Sequence, residues 1–169
     1  MAEYWYALRS KPRKEEVLWK QVRDKGFETY FPRLRVNPVN PRSRKLRPYF
    51  PGYLFVKADV EEVGLSVFQW MPHSVGLVSF GGEPASVPEN LIYAISKRLE
   101  EIAASGGEVL DGLKQGDVVR IDYGPFEGYE AIFDERLPGT ERVRVLLQLI
   151  NNARRVPMEM NVGQIRKKK

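Results

Sequence analysis

Residues 49 to 58, YFPGYLFVKA, constrain this chain more than any other stretch. Side chains along a strand alternate between faces, so Tyr53 and Phe55 point one way and Leu54 and Val56 the other, and both faces are apolar. The first face needs a core. The second needs either an ordinary two-sided core or a partner.

The flanking sequence alternates strands with helices. YWYALR at 4–9 is an aromatic-rich strand; Pro12 suits the first turn of a helix from Arg13 to Lys25, with Val17, Leu18, Gln21, Val22 and Lys25 on one face and Gly26 at its end. FETYFPRL at 27–34 is a second strand, and the quoted run a third. Val60, Val63, Val67, Phe68 and Met71 fall at helical spacing, and VGLVSF at 75–80 is a strand. Pro88 opens an amphipathic helix with Leu91, Ile95, Leu99 and Ile102 in one stripe, and Lys97, Arg98, Glu100 and Glu101 off it. This order predicts a sheet with helices on one side and the other side open. Leu54 and Val56 then lie under the helices. Tyr53 and Phe55, with Trp5 or Tyr6, form an exposed or half-exposed apolar patch of the kind that marks binding sites.

Past the glycine-rich ASGGEVLDG the pattern changes. GDVVRI at 116–121, YEAIFDE at 129–135 and RVRVLLQLI at 142–150 are short strand-like runs separated by YGPFEG and RLPGT, and RRVPMEM adds another. Short strands with Gly/Pro turns predict a small barrel. The expected fold class is α+β: an antiparallel sheet with helices over 1–104, a linker over 105–112, and a small all-β barrel over 113–169.

Composition closes most catalytic routes. With 169 residues and 43% of them apolar, the chain can build one medium domain or two small ones. It has no cysteine and one histidine, so thiolate metal sites, thiol nucleophiles and Ser-His-Asp sets cannot be assembled, and neither metal nor cofactor is expected. His73 reads as a turn residue, and Glu15-Glu16, Glu61-Glu62 and Glu100-Glu101 as solvated helix faces. No run of 18 apolar residues occurs and the start carries charge, so a cytoplasmic protein without a membrane segment is expected.

The formal charge is +5, unevenly spread. Between Arg33 and Arg47 stand six basic residues and no acidic one (Arg33, Arg35, Arg42, Arg44, Lys45, Arg47), and further clusters lie at Arg9, Lys11, Arg13 and Lys14 and at Arg166 to Lys169. Such clusters are footprints of polyanion binding; the plainer reading of each is a solvated loop or tail.

Trp5-Tyr6 near the start, FPGYLFV at 50–56, Val87-Pro88 ahead of a helix, then Gly116, Asp117, Val119, Gly124-Pro125-Phe126, Gly128 and RVPME at 155–159 stand in an order that resembles the NusG family of transcription elongation factors over nearly the whole chain. The resemblance implies an N-terminal domain of the family's NGN type, a C-terminal SH3-like KOW barrel, a monomer, and no covalent chemistry. In the family the N-terminal domain seats the clamp helices of the largest RNA polymerase subunit on an apolar surface, and so suppresses pausing or termination. Here that surface would comprise Trp5, Tyr6, Phe50, Tyr53 and Phe55. Lys11, Arg13 and Lys14, with Arg42, Arg44 and Lys45 of the basic loop, would lie near upstream DNA or the exposed non-template strand, where phosphate contacts steer without specifying sequence. The barrel would recruit ribosomal protein S10 or the termination factor Rho. Phe126 matches a family contact position, and reads equally as an aromatic packing its own turn; Ile150 is the second candidate.

Within the family, GPFEGYEAIFDE and RVRVLLQLINNARRV are similar to RfaH-like, operon-specific antiterminators, which can hide the polymerase surface under a C-terminal helical hairpin that later becomes a barrel. Leu, Gln, Ala and Arg in VLLQLINNARR favour helix, while Val143 and Val145 favour strand. The barrel is the expectation adopted. RfaH joins its domains partly through an acidic residue just before the FP motif; this chain has Arg47 there, facing Arg142, so that latch is expected to be absent. The Thr-rich polymerase-contact motif is replaced by Gly64-Leu65-Ser66-Val67. The alternative reading is an RNA-recognition module without polymerase binding: PGYLFVKA shares Gly52, Tyr53, Phe55 and Val56 with that pattern but departs at Pro51, Leu54 and Ala58. An enzyme is not expected, since neither GGEP nor YGPFEG has the strand-glycine-helix setting of a nucleotide site.

Overall fold

The computed structural model describes residues 3–35, 46–105, 119–121, 129–155 and 165–167. In chain order the elements are β1 (Tyr4–Ser10), α1 (Glu15–Asp24), β2 (Glu28–Tyr30), β3 (Arg33–Arg35), β4 (Leu46–Pro48), β5 (Tyr53–Ala58), α2 (Val60–Val63), α3 (Ser66–Gln69), β6 (Ser74–Leu77), β7 (Ser79–Phe80), β8 (Glu83–Pro84) and β9 (Ser86–Val87). There follow α4 (Glu89–Ser105), β10 (Val119–Ile121), α5 (Tyr129–Ile132), α6 (Gly139–Arg155) and β11 (Ile165–Lys167). They gather into two compact units, one of Met1–Phe31 with Phe50–Val87, the other of Pro32–Tyr49 with Pro88–Lys169. This division groups α4 with the C-terminal helices, where the sequence reading drew a boundary after it.

The first unit is an antiparallel sheet ordered β2-β5-β1-β6, with β9 also paired to β1. Tyr6 pairs with Val56 and Leu8 with Leu54, so these four share a face. They pack with Leu18 and Val22 of α1, Phe68 of α3 and Met71 in the first unit's main core. Helix α1 starts at Glu15 rather than Arg13: Arg13 adopts a left-handed φ of 64°, which no helix residue can hold. Its buried face is Glu15, Leu18 and Val22, and Val17, expected on that face, is exposed. The helix expected over 60–71 is split where Gly64 takes φ 85°; Asp59 caps α2 by accepting the Glu61 and Glu62 N–H groups at 3.1 and 3.2 Å.

The second unit begins with the β3–β4 hairpin, against which α4 packs. Buried positions along α4 include Leu91, Ile95, Arg98 and Ile102, a helical spacing that puts Arg98 inside the stripe from which the sequence reading had excluded it. The strands expected at 129–135 and 142–150 are instead α5 and α6. Among the described residues the barrel is therefore not built; its only strand pair there is β10 with β11. The physical reason lies in the α6 stripe: Arg142, Val145, Leu146, Leu149, Ile150 and Ala153 recur every three to four residues and are all buried. Burying that stripe outweighs the modest strand preference of Val143 and Val145 in α6. Residues 106–118, which take in all of the expected 105–112 linker except Ser105 at the end of α4, lie outside the described residues.

Candidate functional site

The strand pairing decides what occupies the sheet face away from the main core. Ala7 pairs with Phe55, Arg9 with Tyr53 and Trp5 with Lys57, while Tyr30 on β2 pairs with Phe55. Trp5, Tyr53, Phe55 and Tyr30 thus share the second face. The Tyr30 and Phe55 rings stack with centroids 6.2 Å apart, and Phe50 meets Phe55 edge-on at 6.1 Å. Tyr6 does not belong here. It lies in the main core, where burial first, then Tyr4, Asp59 and Glu61, push its hydroxyl pKa up. The expectation of an exposed patch is also corrected: Trp5 is 7% exposed, Phe50 and Phe55 0%, and Tyr53 alone of the four is half-buried.

Phe50, Pro51, Gly52 and Tyr53 make the turn that launches β5. Proline presets φ at the second position and Gly52 supplies φ 84° at the third, a type II pattern closed by the Tyr53 N–H donating to the Phe50 carbonyl at 3.1 Å. The Gly52 N–H donates to Glu15 Oε2 at 2.9 Å, and the Ser10 N–H to the Gly52 carbonyl at 2.8 Å. Glu15, read from sequence as solvated, is therefore a buried acceptor fixing this turn to α1.

A second constellation surrounds the end of α3. Lys11, Arg13 and Lys14 are exposed, and none has an ion pair among the described residues. The Lys11 N–H donates to the His73 carbonyl at 2.9 Å, and the Gln21 side chain to the Pro72 carbonyl at 3.0 Å. His73 is a turn residue, with φ 71°. Arg42, Arg44, Lys45 and Phe126 lie outside the described residues.

In the second unit Arg142 is the pivotal polar residue. It is 5% exposed, donates from Nε to the Tyr49 carbonyl at 2.8 Å and from a terminal nitrogen to the Leu137 carbonyl, and lies over the Tyr49 ring, 4.5 Å from its centroid. Burial holds its pKa below the ordinary arginine value, against the opposing pull of Tyr49 and Asp134. Tyr49 is buried too, and burial raises its pKa despite Arg142 and Arg98. Arg98 adds a weaker tie, Nε to the Phe133 carbonyl at 3.4 Å, and lies 3.7 Å from Glu101. Arg47 is exposed on β4, paired with Leu34. The Arg142 guanidinium is met by a carbonyl and a ring rather than by a carboxylate. Ile150 is fully buried in α6.

A family model described as "Transcription termination factor nusG" matches residues 3–96. Proteins named "Transcription termination/antitermination protein NusG" are similar along the chain. That of Deinococcus radiodurans is 25% identical over 192 residues, spanning 99% of this chain and 100% of its own length. That of Helicobacter pylori J99 is 25% identical over 175 residues, spanning 96% and 97%. A solved structure described as "Domain interaction in Thermotoga maritima NusG" aligns at 26% identity over 75% of this chain and 76% of that one, with a TM-score of 0.45.

Proposed function

We propose, from the premise that this chain belongs to the NusG family, that it is a transcription termination/antitermination factor acting on RNA polymerase by binding rather than by covalent chemistry. The second sheet face is its polymerase site: Trp5, Phe50, Tyr53 and Phe55 receive the clamp helices of the largest subunit. The observation that carries this reading is an aromatic cluster standing on the side of β1 and β5 that the main core does not use. A few rigid aromatics supply large contact area at low entropy cost, which suits a groove for a helix.

Lys11, Arg13 and Lys14 contact the DNA backbone beside the polymerase. The resting state buries Phe50 and Phe55, and the working state exposes them. The C-terminal segment is helical in the first state and forms the KOW barrel in the second, where it recruits ribosomal protein S10 or Rho. What supports this is the double pattern of 142–150, whose Val143 and Val145 suit a strand while its buried stripe suits a helix. Ile150 becomes available to a partner only after that change.

The test is binding of the wild-type chain, Tyr53→Ala and Tyr53→Phe to purified clamp helices. Tyr53→Ala should bind at least about tenfold more weakly than wild type, and Tyr53→Phe should keep most of the affinity. Equal binding by all three sinks the assigned surface.

A further inference from the structure

The turn that launches β5 closes without outside help. Pro51 presets φ at its first central position, Gly52 takes 84° at the second, and the Tyr53 N–H meets the Phe50 carbonyl at 3.1 Å. Its shape needs no side chain from elsewhere. Yet the Gly52 N–H, which a type II turn leaves unbonded, donates to Glu15 Oε2 at 2.9 Å, and the Gly52 carbonyl accepts from the Ser10 N–H at 2.8 Å. Both polar groups of one residue are thus tied down, one to the first residue of α1 and the other to the last residue of β1.

A carboxylate is a costly acceptor here. Gly52 is only half-buried, a setting in which water commonly satisfies an N–H, whereas Glu15 is 8% exposed and has given up most of its hydration. The start of α1, where a helix favours negative charge, and the strength of a hydrogen bond to an ionised oxygen offset that loss. What the bond adds beyond a water is location: it fixes the turn against α1. Packing does little of this at Gly52, since among the described residues a Cβ placed there would meet the Ser10 carbonyl alone, at 3.7 Å.

Phe50 and Tyr53 are the first and last residues of the turn, so both move with Gly52. The Phe50 ring stands edge-on to Phe55 with centroids 6.1 Å apart, and Tyr53 opens β5 opposite Arg9 of β1. We propose that Glu15 is a positioning residue of the polymerase site: through the Gly52 N–H it sets where Phe50 and Tyr53 stand, and it raises affinity for the clamp helices without touching them. Aromatic anchors contribute most when their supporting shell holds them in the bound arrangement beforehand. This inference rests on the function proposed above.

The test measures affinity for purified clamp helices and hydrogen exchange at the Tyr53 amide. It uses the full chain as wild type, Glu15→Ala, Glu15→Gln, Val22→Ala, Tyr53→Ala, and Glu15→Ala with Tyr53→Ala. Val22 is a fully buried core residue of the same helix, so its truncation removes packing rather than the Gly52 bond. Glu15→Ala should weaken binding on the order of tenfold and lower Tyr53 amide protection by about the same factor. Glu15→Gln, whose amide oxygen still accepts, should restore most of both, and Val22→Ala should change affinity less than about twofold. In the Tyr53→Ala background Glu15→Ala should weaken binding less than about threefold further, because the ring it positions is gone. Equal losses of affinity from Glu15→Ala and Val22→Ala, or unchanged exchange at Tyr53, overturn the proposal. If the polymerase surface itself is misassigned, Tyr53→Ala binds like wild type; if only the positioning role is wrong, Tyr53→Ala loses affinity and Glu15→Ala does not.

Discussion

Replacing Arg142 with alanine should release α6 while leaving the sheet of the first unit folded. Two buried carbonyls, those of Tyr49 and Leu137, lose a charged donor, at about 1.5–3 kcal/mol each. Loss of the desolvated contact with the Tyr49 ring adds about 2 kcal/mol. Removing the guanidinium also relieves its own burial penalty, several kcal/mol in the opposite direction, of which its lowered pKa is the sign. A net cost of about 3 kcal/mol remains, on the order of a hundredfold in the opening equilibrium. Hydrogen exchange reads this residue by residue. Amides of Leu146 to Ala153 should lose about a hundredfold in protection, and those of β5 less than about threefold. Arg142→Lys, which keeps charge but not the planar fork, should fall between. Fewer than about fivefold at α6, or parallel loss in β5, would refute the argument, the first because the arginine holds nothing and the second because it holds everything.

The other expectations concern the turn, the core and pH. Gly52→Ala should destabilise by about 1–2 kcal/mol, since alanine resists φ 84°, seen as a lower denaturant midpoint at unchanged slope. Glu15→Ala should cost about 1.5–3 kcal/mol by orphaning the Gly52 N–H, with Glu15→Gln recovering part of it in thermal melts. Phe68→Ala, in the main core, should cost about 3–5 kcal/mol by the same measurement. Burial raises the Asp134 pKa, but hydrogen bonds from the Arg136 side chain and backbone more than reverse it, leaving it below 3.8. Its contribution is therefore complete above the unfolded value and lost as pH falls through the lower folded one; Asp134→Asn should flatten the acid limb of the stability profile.

The short-range rules were legible in the sequence. Pro51-Gly52 favours its turn because the proline ring fixes φ at the first position and glycine takes the positive φ at the second without steric cost. Alternation in YLFV fixed two apolar faces, and the α4 stripe was readable apart from Arg98, a long side chain whose burial depends on a carbonyl at Phe133, distant in sequence. Which aromatic of Trp5-Tyr6 joins Phe55 was beyond reach, because alternation assigns opposite faces but only the register with β5 says which face is which.

Glu15 and Arg142 show the same limit from the polar side, each buried because a backbone group from elsewhere needs it. Trp70, 77% exposed, carried no periodic signal at all; an exposed tryptophan and a core one look alike in a string of letters. The C-terminal segment is the sharpest case. Its helix and strand preferences differ by no more than a few tenths of a kcal/mol per residue, so sequence alone left both folds open. Burial of Leu146, Leu149 and Ile150, each contributing about 1.5–3 kcal/mol, decided for helix, and that is a quantity only tertiary structure possesses.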